Sequence, residues 1–315
     1  MEKKLRKAII VYGFGRMGLT HFSILNQLLD DTDFTLVDMD KKINYFARKN
    51  MSAKIVSNAS KIEKKHDFAI ICTPPMFHIT TIEECLKRGD RKIFVEKPFG
   101  GINDDYSNVV LQKEDVKIGY VLRFIPVIQW IKNNLPIDRI TKFEGSYFSN
   151  SIEMKPKGWR NGNYSGVCNE MGSHVIDLAV YTLGLKNFKI TNKKIESVVS
   201  DVDDIASFEL EADGKEYKFH FDWVNKNYRK PIFSLKYYLD DNSYYIVDQQ
   251  KIENFDSKHN LINSVSTVEI AASTPFYLRG VEFTNQMKDF IEGQEIIASV
   301  DEALVTREII KNILK

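Results

Sequence analysis

A chain of 315 residues, 43% of them hydrophobic, is long enough for two cores and has the makeup of a globular protein. Lys+Arg 44 against Asp+Glu 43 leaves a net charge of +1, so no global field favours a polyanion, which argues against nucleic acid as the main partner. No apolar run approaches the ~18 residues of a membrane span. Cys72, Cys85 and Cys168 lack metal-type spacing and read as reduced thiols of a cytoplasmic protein.

The start, MEKKLRKAIIVYG, has the basic head of a signal peptide, but its apolar run soon meets Gly13, Gly15, Arg16 and Gly18. AIIVY (8–12) is instead a buried-type strand, and Leu19 to Leu29 follows with apolar residues at helical spacing. FTLVD (34–38), DFAIICTPP (67–75), KIFVEKP (92–98) and VKIGYVLRF (116–124) continue the series, with a helix-like IEECLKRG before KIFVEKP. Strand–helix–strand alternation with apolar strands predicts a parallel sheet with right-handed crossovers.

In that setting Gly13-Phe14-Gly15-Arg16-Met17-Gly18 reads as a dinucleotide turn. The first glycine permits the bend, the second admits a pyrophosphate to the backbone, and the third lets the helix lie close to its strand. Asp38, 20 residues after Gly18 at the end of the second strand, is placed for the adenosine ribose hydroxyls. A carboxylate within ~4 Å of a 2′-phosphate repels it by at least ~1 kcal/mol, and Met39 offers no guanidinium to hold one. NAD is therefore favoured, and NADP less so.

Ligands of open parallel sheets sit beyond the carboxyl ends of the strands. Cys72-Thr73-Pro74-Pro75 and Glu96-Lys97-Pro98 both fall at such ends, where the prolines stop the strands. That position directs Lys97 at the cofactor, a surface salt bridge being the alternative reading. Arg123, just past the last strand of the series, stands near the crevice and reads equally as a substrate contact or an ion-pair partner.

Farther on, Glu170, His174 and Asp177 fall at i, i+4 and i+7, an arc of about 60° on one helical face. Three readings stand: acids at a helix N-terminus with a core histidine, a metal pair, or acid–base work. No second histidine or cysteine lies nearby in sequence to complete a metal site, and none is expected. An imidazole with an ordinary pKa of about 6.5 suits proton transfer near neutral pH.

From about 139 the pattern turns strand-rich. ITKFEGSYF, DIASFELEADGKEYKFHFDW and FSLKYYLDDNSYYIVD alternate apolar and polar residues, with turn signals at Asp213-Gly214 and Asp241-Asn242. This predicts an antiparallel sheet with one face on helices and the other open to a partner, before a helical C-terminal segment. We place the division near 121, giving domains 1–121 and 122–315.

GFGRMG, Asp38, CTPPMFH (72–78), the EKP at 96–98 and GWRNGNYSGVCNEMGSHVIDL (158–178) together resemble the glucose–fructose oxidoreductase, inositol dehydrogenase and rhizopine catabolism family of dehydrogenases. The resemblance implies an α/β protein: an N-terminal Rossmann domain, then an α/β domain whose large, mostly antiparallel sheet forms a homodimer or homotetramer. It implies that Lys97 is catalytic, with a cis-proline bond after it. It implies a substrate loop at Trp159, Arg160 and Tyr164, and a supporting place for His78 in the cofactor site, His21 being structural. We assign His174 as acid/base, Lys97 to polarise the reacting oxygen, and Glu170, where the family usually has Asp, to orient substrate or imidazole. Arg123 and Asp177 are expected at the substrate, with Tyr277 and Arg279 completing the pocket. The implied function is hydride transfer between NAD(H) and a hydroxyl of a sugar, polyol or nucleotide sugar. An NAD-dependent glycoside hydrolase and a non-catalytic dinucleotide sensor are the alternatives.

Overall fold

The computed structural model describes residues 6–270, 280–293 and 295–315. The chain forms two compact units, Met1–Gly119 with Phe276–Asp301, and Tyr120–Pro275 with Glu302–Lys315. Tyr277 and Arg279 lie outside the described residues.

In the first unit each apolar run becomes a parallel strand: β1 Lys7–Tyr12, β2 Thr32–Val37, β3 Lys54–Val56, β4 Phe68–Ile71, β5 Lys92–Glu96 and β6 Val116–Gly119. Their spatial order is β6-β5-β4-β1-β2-β3, with the short antiparallel strand Ala298–Ser299 on the β6 edge. Ile9 to Val11, Ile70, Ile71 and Ile93 to Val95 are wholly buried. Strands covered on both faces need continuous apolar runs, which is why β1, β4 and β5 do not alternate.

The order reverses at β1, which has β2 on one side and β4 on the other, so a crevice opens beyond its carboxyl end. The helices on these connections include α1 Arg16–Leu28, α2 Lys41–Asn50 and α3 His78–Arg88. Asp40 caps α2 by accepting from Lys42 N at 2.7 Å, and Gly89 ends α3 in the left-handed conformation. The helix Val281–Glu292 also belongs here: Phe290 packs on Phe68 and Phe94 at 5.8 and 5.7 Å between ring centroids. A division near 121 groups it with the second domain; its aromatic contacts place it on the first sheet.

The second unit is built on β7 Ile140–Phe148, β8 Lys189–Glu196, β9 Ile205–Ala212, β10 Lys215–Asp222, β11 Ile232–Leu239, β12 Tyr244–Val247, β13 Lys251–Phe255 and β14 Leu261–Ser266. They order as β14-β13-β12-β11-β7-β10-β9-β8, antiparallel throughout except for the β7–β10 pair. Asp213 and Gly214 both take positive φ, the geometry that a tight β9–β10 hairpin requires. One face carries Phe143, Phe208, Phe219, Phe221, Phe233, Leu235 and Tyr237, all buried. The helix Ser173–Leu183, buried along its whole length, covers this face. A Cβ on Gly145 would meet the Val175 side chain at 2.5 Å, so this glycine lets the helix lie against β7.

Candidate functional site

The dinucleotide turn is assembled in the first unit by three glycines with different surroundings. Gly13 has φ +77° and sits so close to the end of β4 that a Cβ would meet Cys72 O at 2.7 Å. At Gly18 a Cβ would stand 2.0 Å from Gly13 O, so only glycine lets α1 close on its own strand. Gly15 is the opposite case, with nothing within 4 Å of its Cβ position. No side chain caps α1 at Gly15 and no acid lies in its first turn, where Arg16 and Met17 stand. Backbone N–H groups at a helix start beside open space are suited to a phosphate.

Asp38 holds this turn in shape. Its Oδ2 accepts from Phe14 N at 2.7 Å, and its Oδ1 from Asp40 N at 2.8 Å. Each carboxylate oxygen can accept more than one donor, so the group retains capacity for ribose hydroxyls. Met39 is 78% exposed and brings no charge to the spot. These residues fit a dinucleotide with a free 2′-hydroxyl.

The ends of β4 and β5 are clamped by one histidine. His78, buried at the start of α3, reaches Thr73 O at 2.8 Å through Nε2 and Pro98 O at 3.0 Å through Nδ1. Burial lowers its pKa, against the two carbonyl hydrogen bonds and Glu96, which act to raise it. Glu96 is itself tied to His21 Nε2 at 2.7 Å. Lys97 follows, half-buried, with a cis bond to Pro98. Pro74 and Pro75 lead into a short 3₁₀ turn, Pro75–Phe77. Burial, with Glu96 second, raises the Cys72 thiol well above its ordinary range.

In the second unit the expected α-helical stripe is altered. Cys168–Gly172 is a π-helical turn, and the α-helix begins only at Ser173. A wider turn breaks the 100° step on which the common face of Glu170, His174 and Asp177 rested. Glu170 and Asp177 accordingly bond different partners. Glu170 accepts from Ser165 Oγ at 2.5 Å and lies 3.5 Å from Arg160 Nη2. His174, 8% exposed, packs edge-on to Tyr120 at 6.1 Å.

Asp177 is wholly buried and takes two hydrogen bonds from Arg123, at 2.6 and 2.8 Å. Arg123 is 0% exposed and also donates to Glu302 at 3.0 Å. The expectation that Arg123 and Asp177 touch substrate is therefore corrected. They form a buried bidentate ion pair that joins the segment after β6 to the helix of His174. Trp159 and Arg160 lie together on the 3₁₀ turn Gly158–Asn161, guanidinium over ring at 5.7 Å, with Tyr164 half-buried nearby in sequence. Asn161 and Lys155 anchor this loop on Asp201.

Sequence reasoning missed Ser165 and Asp203. Asp203 accepts from Cys168 N at 2.7 Å and so holds the beginning of the π turn. A Cβ on Gly166 (φ +103°) would stand 1.8 Å from its carboxylate. Burial pushes the Asp203 carboxyl up to about 6.

The turn, the switch point and the acid after β2 define a dinucleotide-binding α/β unit. Residues 7–110 match the family described as oxidoreductase family, NAD-binding Rossmann fold (GFO_IDH_MocA). No curated protein matches the sequence. Among solved structures, levoglucosan dehydrogenase in complex with NADH superposes with a TM-score of 0.82 at 16% identity, over 98% of this chain and 96% of that one. The WlbA dehydrogenase from Bordetella pertussis, in complex with NADH and UDP-GlcNAcA, gives 0.79 at 14%, over 98% and 94%. UDP-N-acetylglucosamine 3-dehydrogenase GnnA from Acidithiobacillus ferrooxidans gives 0.76 at 14%, over 99% and 97%. Identities this low establish a shared fold across both units.

Proposed function

We propose that the protein is an NAD(H)-dependent oxidoreductase that moves a hydride between nicotinamide and a hydroxyl or keto carbon of a sugar, polyol or nucleotide-linked sugar. The carrying observation is the open space at Gly15, at the start of α1 beside Asp38. The family match supports the redox class, and the sugar and nucleotide-sugar dehydrogenases of the same fold support the substrate class.

When bound, the nicotinamide supplies the hydride acceptor or donor. The residues of this chain handle the proton and the charge. In the oxidative direction His174 takes the hydroxyl proton, while Lys97 stabilises the negative charge that builds on the oxygen as the carbonyl forms. Glu170, held by Ser165 Oγ, orients substrate or imidazole. Trp159 and Arg160 offer an apolar face and a hydrogen-bonding fork suited to a sugar ring, and Tyr164 lies on the same loop.

Three further statements belong to the same reading. The cofactor is NAD in preference to NADP, on the strength of Asp38 and Met39. The protein assembles as a homodimer or homotetramer through the open face of the second sheet, where Glu144, Ser146, Lys218, Ser234 and Lys236 line a shallow hollow. It works in the cytoplasm, in keeping with the free thiols of Cys72, Cys85 and Cys168.

The test is NADH absorbance with NAD and NADP in parallel, across free sugars, polyols, inositols and nucleotide sugars, on wild type, Lys97→Ala and His174→Ala. Turnover with one substrate class, lost by at least about a hundredfold in both variants while NADH binding persists, is the expected result. Sugar release without net NADH formation would replace the reading with a hydrolase. Undiminished turnover by Lys97→Ala would remove the catalytic assignment of that lysine.

A further inference from the structure

A chain of polar contacts runs from the helix Val300–Leu314 to Glu170. Arg307 of this helix is 3% exposed, and its Nη1 donates to Asn169 Oδ1 at 2.6 Å. Asn169, also buried, directs Nδ2 to the Ser165 carbonyl at 2.7 Å. The orientation of this amide is set by chemistry: a guanidinium only donates and a carbonyl only accepts, so Oδ1 faces Arg307 and Nδ2 faces Ser165. Ser165 then gives its hydroxyl to Glu170 Oε1 at 2.5 Å. The Asn169 carbonyl accepts Ser173 Oγ at 2.7 Å, which ties the π turn to the first turn of the helix carrying His174.

Arg307 is costly where it stands. Its neighbours on the buried side of the helix, Ala303, Ile310 and Ile313, are apolar and almost fully enclosed. Its Nε and Nη2 make no hydrogen bond among the described residues, so Asn169 receives its directional donation. A methionine would fill the same volume without burying a charge. Glutamate also has one more side-chain torsion than aspartate to be fixed before its carboxylate holds one place. The Ser165 hydroxyl fixes it, and the Ser165 backbone is in turn held by Asn169.

We propose that Arg307 is a positioning residue for Glu170, acting through Asn169 and Ser165; this rests on the role given to Glu170 above. The experiment compares Arg307→Met, Arg307→Lys, Ser165→Ala and the Arg307→Met/Ser165→Ala double variant by crystal structure, NADH binding fluorescence and steady-state kinetics with the sugar found in the panel. In Arg307→Met the Asn169 Oδ1 loses its donor, the hold of Asn169 on Ser165 should loosen, and the Ser165–Glu170 contact should lengthen or break. Its kcat should fall about tenfold to a hundredfold, as displacements of about 1 Å near a reacting group do. NADH affinity should stay within about twofold of wild type, a shift of about 0.4 kcal/mol. Arg307→Lys should recover part of the loss, and the double variant should be no worse than the poorer single, because both act on one contact.

A variant structure in which Ser165 still donates to Glu170, or losses that add, would overturn the proposal. Should Arg307→Met not fold, Arg307→Lys and Ser165→Ala decide it by the same structural and kinetic measures. Glu170→Gln separates the two levels. Full turnover by Glu170→Gln, with the carboxylate of Arg307→Met displaced, would sink the role of Glu170 and leave the positioning contact standing.

Discussion

At Gly15 and Gly18 the same added methyl has opposite consequences, because one position faces open space and the other a carbonyl oxygen 2.0 Å away. Gly15→Ala should fold with an unchanged melting temperature, since its φ of −75° suits any residue, yet lose NAD affinity about tenfold or more, equivalent to about 1.4 kcal/mol. Gly18→Ala should lower the melting temperature as well, by a destabilisation of about 2 kcal/mol or more, because α1 must move off its strand. Thermal melts beside NADH fluorescence titrations distinguish the two. All three glycines of GFGRMG were legible as a motif, but their differing surroundings come from residues distant in sequence, Cys72 and Thr73 for Gly13. The role of Arg123 was open in the sequence for the same reason: whether an arginine meets substrate or an aspartate 54 positions on depends on which surfaces the fold closes.

At the scale of elements, the segment around the π turn is governed by two adjacent acids with contrary environments. Asp204 accepts from Val198 N, Val199 N and Ser200 N through Oδ2, and from Ser200 Oγ and Trp223 Nε1 through Oδ1. Burial works to raise its pKa, but these donors outweigh it and hold the carboxyl below its ordinary value. Asp204→Ala leaves them unsatisfied and should destabilise the protein by about 3 kcal/mol or more in urea unfolding. Asp203 shows the reverse balance, its carboxyl raised from 3.8 to about 6 by burial. The folded chain then binds more protons than the unfolded chain between about pH 4 and pH 6. This group's contribution to stability is therefore present at the acid end and is lost as pH rises through that window. Asp203→Asn removes the slope. The difference between wild-type and variant unfolding free energies should change by roughly 2 kcal/mol from pH 4 to pH 6, and stay flat above about pH 7. A pH-independent difference would show that Asp203 titrates normally. The expected α-helical stripe through Glu170 and Asp177 misled because the widened turn depends on Asp203, a residue 35 positions from Cys168 that no local pattern includes.

At the scale of the molecule, the open face of the second sheet bears the prediction about assembly. Along β11 the residues alternate, with Phe233, Leu235 and Tyr237 buried and Ile232, Ser234, Lys236 and Tyr238 on the other side. Lys236→Glu paired with Ile232→Glu should shift the sedimentation coefficient toward that of a single chain and leave NADH binding intact; an unchanged coefficient would place the interface elsewhere. The sequence by itself determined the parallel sheet, the dinucleotide turn, the acid after the second strand and the antiparallel character of the second half. Those features rest on short-range rules: apolar runs, helical spacing, glycines in a fixed register and turn residues between alternating strands. Only the tertiary structure decided that Val281–Glu292 packs on the first sheet, that Arg123 and Asp177 neutralise each other in the core, and that Arg307 reaches Asn169 across 138 positions. The reason is physical. A charged side chain carries the same sequence signature whether it is bound for a ligand or a buried partner, and the choice is made by long-range packing that desolvates one pair and leaves another exposed.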